Sequence, residues 1–139
     1  MTAFLIDTNV LSELVRPSPD HEVMTFLAVE SDLWLSVVTL HELTCGAERI
    51  KDLARRHRLA AWIETIKVRF KERVVAIDAP ISEQAGRARA KAAAQGRGVD
   101  ALDALIAATA QTRSLTLATR NVRDFEALDI NVVDPWSAA

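Results

Sequence analysis

Short apolar runs alternate with longer amphipathic stretches along this chain. Ala3-Phe-Leu-Ile6, Leu33-Trp-Leu-Ser-Val-Val38, Val74-Val-Ala-Ile77, Leu115-Thr-Leu-Ala118 and Asn131-Val-Val133 each predict a strand. Helical signals fill the gaps. Residues 8–15 predict a short helix stopped by Pro17, and Ser18-Pro19 an N-cap with proline at the first helical position, opening a helix to about Glu30. Thr39 opens a helix running to about Lys51. Leu59, Trp62, Ile63, Ile66 and Phe70 fall on one helical stripe, with Arg55, Arg56, Arg58, Lys67, Arg69 and Lys71 on the opposite face. Pro80 fits the first turn of a helix ending near Gln95, where Gly96 and Gly98 interrupt the pattern. Residues 100–112 and 122–128 complete the helical set. Strands alternating with helices predict an α/β fold, a mostly parallel sheet covered by helices on both faces. Ligands of such sheets bind beyond the carboxyl ends of the strands, where the strand order reverses.

Acids interrupt the apolar elements at telling places. Asp7 ends the first strand, Glu42 follows the second, and Asp103 sits in an otherwise apolar helix among Ala104, Ile106, Ala107 and Ala110. A carboxylate on an apolar face is costly unless it is paired or binds a cation. Three such acids suggest one pocket for a hard divalent cation. Without a cation, clustered carboxylates raise one another's pKa, so metal should bind more weakly at low pH. Asn121 and Asp124 follow the Leu115–Ala118 strand and can face the same cleft, as can the neutral oxygens of Thr8 and Thr119.

Each motif also has a plainer structural meaning. Asp7-Thr-Asn is a good helix cap. Thr39-Leu-His-Glu42 has the spacing of a capping box. Asp100 fits an N-cap, which leaves Asp103 for the site. Asn121 suits a turn or cap, with Asp124 at the third helical position. The basic stretch from Arg49 to Arg73 reads as a solvated helix face, or as a surface for phosphate. Val10, Leu11, Leu14 and Val15 read as core, or as a groove for a partner segment.

Composition narrows the picture. The chain has 139 residues, half of them hydrophobic, which is enough for one domain with a real core. A net charge of −2 argues neither for nor against nucleic acid. The single cysteine, Cys45, has no partner for an internal disulfide and is expected to be a small core thiol in a reducing cytosol. His41 lies four residues before it, but no further Cys or His completes a zinc set. Gly96-Arg-Gly98 follows a helix, not a strand, so it is no phosphate loop. No signal peptide or membrane-spanning run is visible, and a cytoplasmic, membrane-free protein is expected.

Taken together, Asp7-Thr-Asn, Thr39-x-x-Glu42-Leu, Asp103-Ala-Leu-Ile-Ala-Ala-Thr-Ala110 and Thr119-Arg-Asn-x-x-Asp-Phe resemble the PIN-domain family, and within it the VapC- and FitB-type toxins of bacterial toxin–antitoxin pairs. The resemblance extends to the closing Asp134-Pro-Trp136. It implies a single PIN domain over residues 1–139, with a three-layer α/β/α fold, acting as a metal-dependent endoribonuclease. It maps an acidic quartet onto Asp7, Glu42, Asp103 and Asn121, where the amide departs from the pattern and Asp124 is a nearby substitute. The implied cofactor is Mg²⁺ or Mn²⁺, held through Asp7, Asp103 and Glu42 with Asp124 in support. Thr8 and Thr119 would orient substrate or water. The implied partners are RNA, a small VapB- or FitA-like antitoxin whose tail would block the cleft, and a second copy of the chain.

Two other readings compete. A catalytically degenerate PIN scaffold would bind RNA or protein without cutting, an option Asn121 keeps open. A receiver-type phospho-acceptor would also be α/β with an acidic magnesium pocket. That class needs a second acid beside the first strand and a lysine after a late one, and neither is present.

Overall fold

A computed structural model describes residues 2–136. Its centre is a five-stranded, all-parallel sheet in the order β3-β2-β1-β4-β5. The strands are β1 (Phe4–Ile6), β2 (Leu33–Ser36), β3 (Val74–Val75), β4 (Thr116–Ala118) and β5 (Val132–Val133). The α-helices are α1 (Thr8–Ser12), α2 (His21–Val29), α3 (Val37–Glu48), α4 (Leu53–Arg69), α5 (Ala79–Ala94) and α6 (Ala101–Thr112). Two 3-10 helices, Glu13–Val15 and Val122–Leu128, complete the set.

Alternation along β1 divides the core. Successive strand side chains point to opposite faces. Phe4 and Ile6 pack with residues of α1 to α4, whereas Leu5 packs with Val38, Ile106, Ala107 and Leu117. The first group includes Val10, Leu11, Val23, Leu27, Ile63, Ile66 and Phe70. The second face is covered by α5, α6 and the 3-10 helix at Val122–Leu128. The result is the α/β/α layering expected from the sequence. Chain order reverses between β1 and β4, the point of such a sheet where ligands bind in general.

Several element ends differ from expectation. Helix α2 starts at His21, not at Pro19. Asp20 is its cap, accepting from the Glu22 and Val23 amides, while the Asp20 amide itself donates to the buried Glu13 carboxylate at 2.7 Å. Segment 8–15 is a short α-turn that tightens into a 3-10 helix. Strand β2 ends at Ser36, where pairing with Val75 ends, and the Ser36 hydroxyl caps α3 by accepting from the Val38 amide at 3.0 Å. Thr39 is therefore a buried residue inside α3, no capping box forms with Glu42, and Glu42 lies in the second helical turn rather than the first. Strand β3 is only two residues long and pairs with Leu35 and Ser36 of β2. Cys45 is exposed on α3, not a core thiol. Val10 and Leu11 are fully buried and offer nothing to a partner; of that segment Val15 reaches the surface, beside Arg55, Arg58, Leu59 and Trp62. Among the described residues no helix is long and apolar enough to cross a membrane.

Candidate functional site

Asp7 stands at the carboxyl end of β1, almost fully buried. Its backbone is placed by sheet pairing, since the Asp7 amide donates to the Ala118 carbonyl at 2.9 Å. Its side chain caps α1: Oδ1 accepts from the Thr8 amide at 2.8 Å. Capping and a place in the site are thus the same conformation. Oδ2 accepts from the Thr119 hydroxyl at 2.7 Å and from Asn9 Nδ2 at 3.3 Å. A carboxylate has about four lone-pair sites, so acceptor capacity remains on Oδ1.

Thr119 follows β4 and is completely buried. Its oxygen also accepts from the Asn121 amide at 3.1 Å, which folds the turn after β4 back over Asp7. Asn9, to which the sequence assigned no role in the site, ties this corner together. Its Nδ2 reaches Thr119 Oγ1 at 3.2 Å and its Oδ1 accepts from the Arg120 amide at 3.1 Å. The signal that finds Asn9 is the pairing of β1 with β4, which brings residues 9 and 119–121 side by side. Arg120 itself turns away, its guanidinium 4.9 Å above the Trp136 ring.

Glu42 reaches the cleft from α3, half-buried. Thr8 donates its hydroxyl to Glu42 Oε1 at 2.7 Å, linking the start of α1 to α3 across 34 residues. Thr8 and Thr119 therefore both hold carboxylates. Asp103 comes from the first turn of α6 on the other side of the sheet. Asp100 caps that helix through the Leu102 amide, as the spacing predicts. Behind Asp103, the buried Ala104, Ile106, Ala107, Ala108, Thr109 and Ala110 clamp α6 in place, which fixes the backbone of Asp103. Asp103 accepts no side-chain hydrogen bond among the described residues. Asp124, in the first turn of the 3-10 helix, lines a cavity of about 370 Å³ with Asp100 and Asp103. Asn121 caps that helix by position only; its exposed amide side chain makes no capping bond.

The electrostatics agree with this convergence. Burial, more than repulsion, raises the Asp7 carboxyl above its ordinary value, against the hydrogen bonds from Thr119, Thr8 and Asn9. Glu42 is raised by burial and by the charge of Asp7, against the bond from Thr8. Asp103 is pushed up to about 6, first by burial and then by Asp100, Asp7, Asp124 and Glu42. With no donor to support its charge, Asp103 is the group most in want of a cation. Among the described residues no three His, Cys, Asp or Glu side chains are gathered tightly enough to hold an ion by themselves.

Comparison with known proteins connects this arrangement to others. The toxin FitB of Neisseria gonorrhoeae is 36% identical over 135 residues, covering 95% of this chain and 97% of its own length. The tRNA(fMet)-specific endonuclease VapC of Shigella flexneri is 33% identical over 137 residues, covering 99% of this chain and all of its own. The crystal structure of FitAcB from Neisseria gonorrhoeae superposes with a TM-score of 0.92 at 35% identity, over 97% of this chain and 99% of that one. The PIN-domain family model matches residues 4–131, a span that runs from the first residue of β1 through Asp7, Glu42, Asp103 and the Thr119–Asp124 turn. With the family match, the sequence identity and the superposition in agreement, the chain belongs to the PIN-domain family.

Proposed function

We propose that this chain is a metal-dependent endoribonuclease, the toxin of a toxin–antitoxin pair, that hydrolyses RNA phosphodiester bonds. Residues 1–139 act as one PIN domain, working in the cytoplasm as a homodimer. Its partners are RNA and a small cognate antitoxin protein. The single observation that carries the nuclease reading is that Asp103, half-buried and without a hydrogen-bond donor among the described residues, shares a cavity with Asp100 and Asp124 and feels the charges of Asp7 and Glu42. The names and activities of the relatives above support it.

In this reading Asp7, Glu42 and Asp103 hold Mg²⁺ or Mn²⁺, Asp124 supports them, and Asn121 contributes a neutral oxygen. All the donors are hard oxygens, which suits these ions. The spread of the acids suits an ion that keeps several of its waters, as Mg²⁺ does. Bound there, such an ion supplies Lewis acidity toward a phosphoryl oxygen and lowers the pKa of water. The chain's own residues do the positioning. Thr119 and Asn9 fix the Asp7 carboxylate, and Thr8 fixes that of Glu42. The raised acids take up protons readily when no cation is near, so activity should fall as pH drops toward 6.

Cleavage of single-stranded RNA tests the proposal. Activity is expected with Mg²⁺ or Mn²⁺ and is expected to vanish with chelator and in Asp7→Ala. A purified chain that binds RNA but never cuts it under these conditions is a degenerate scaffold. Cutting that survives both chelator and Asp7→Ala refutes the metal assignment.

A further inference from the structure

Arg97 and Arg123 have no part in the arrangement above, yet both line the cavity that holds Asp103 and Asp124. Each is placed by local structure. At the end of α5 the chain turns at Gly96 with φ of 76°, and the Arg97 amide donates to the Ala92 carbonyl at 2.9 Å. This helix-ending bond fixes the backbone of Arg97. On the far side of the same loop, the Val99 carbonyl accepts from Arg89 Nε of α5 at 3.2 Å. Arg123 directly precedes Asp124 in the 3-10 helix.

Neither guanidinium is neutralised by the acids of that cavity. Arg97 pairs instead with Glu126, at 3.5 Å, with both side chains about half exposed. Such exposed pairs exchange readily for another anion. Arg123 makes no ion pair among the described residues. Meanwhile Asp103 faces Asp100, Asp7, Asp124 and Glu42. One divalent ion offsets only part of that charge, so a polyanion entering the cleft still needs protein cations near the acids. An arginine fork matches two phosphate oxygens at once.

We propose that Arg97 and Arg123 form a phosphate-binding site in the wall of the acidic cavity, taking a backbone phosphate of the RNA strand beside the one that is cut. The inference rests on the ribonuclease reading for its ligand, but binding can be read without cleavage.

Fluorescence anisotropy of a labelled single-stranded oligoribonucleotide, with the full chain in EDTA at several salt concentrations, provides the test. Each phosphate contact to a single strand contributes about 0.7 to the slope of log K against log salt. The double variant Arg97→Ala, Arg123→Ala should therefore lower the slope by about 1.4 and weaken binding at least about tenfold at low salt. Lysine at both positions should retain most of the slope. Glu126→Ala, which frees Arg97, should bind as tightly as the parent or tighter. In Mg²⁺ or Mn²⁺ the double alanine variant should raise KM more than it lowers kcat. An unaltered slope and Kd in a double alanine variant that melts like the parent overturns the proposal. A parent chain that shows the arginine-dependent slope but never cleaves defeats the nuclease reading and leaves this site standing. A chain that cleaves with binding indifferent to both arginines does the reverse.

Discussion

Asp103→Asn should stabilise the metal-free protein. The substitution keeps the shape of the side chain and removes its charge. The carboxyl moves from an ordinary 3.8 to about 6 because α6 holds it half-buried, beside other acids. A change of that size corresponds to about 3 kcal/mol between the two protonation states. Asp103 is only half-buried, so solvent screening reduces the expected gain to about 1 kcal/mol. For a domain of this length that is a rise in Tm of about 3–4 °C. The pH dependence follows in sign. Between about 4 and 6 the native state holds more protons on Asp103 than the unfolded chain does, so the parent loses stability as pH rises through that window and then levels off. The variant should lack the Asp103 share of this slope. Adding Mg²⁺ or Mn²⁺ at pH 7.5 should then raise the Tm of the parent and change that of Asp103→Asn much less. Thermal melts across pH 4–8, with and without the ion, make the measurement. A metal-free variant less stable than the parent at pH 7.5 would show that Asp103 has a stabilising partner, and would refute the reasoning.

Four further outcomes are expected. Thr119→Val removes the donor to Asp7 and the acceptor for the Asn121 amide, so it should cost about 1–3 kcal/mol and at least about tenfold in cleavage rate. Asn9→Ala should lower the rate with a smaller stability loss, and parental kinetics in both would dismiss the Asp7 positioning network. Calorimetric titration separates the two residues after β4: Asn121→Asp should keep or strengthen Mg²⁺ affinity and Asn121→Ala weaken it, whereas metal loss in Asp124→Ala alone would make Asp124 the fourth position. Bound antitoxin should slow hydrogen exchange in residues 7–16 and in the Thr119–Asp124 turn; protection confined to residues 55–71 would mean that it covers the basic helix face and leaves the cleft open.

The local pattern of the chain determined a good deal. Period-two and period-3.6 hydrophobicity laid out every strand and helix in order, because one-sided burial imposes those periods wherever an element packs on a core. It also marked Asp103 as anomalous, since a charge among Ala104, Ile106 and Ala107 breaks a rule that cores otherwise keep. Asp7, Glu42 and Asp124 were visible for a related reason: acids follow apolar runs at strand ends. Other matters needed contacts between residues far apart in the chain. Whether Ser36 or Thr39 caps α3 depends on where β3 stops pairing with β2. Asp20 rather than Ser18 starts α2 because buried Glu13 holds the Asp20 amide. Cys45 is apolar by residue type but falls on an exposed face of α3. Asn9 and Thr119, 110 residues apart in the chain, meet because β1 and β4 are neighbours. Sequence periodicity records which side of an element is buried. Only the order of strands in the sheet decides which buried or half-buried groups come within hydrogen-bonding distance, and that order joined Asp7 and Asn9 to Thr119.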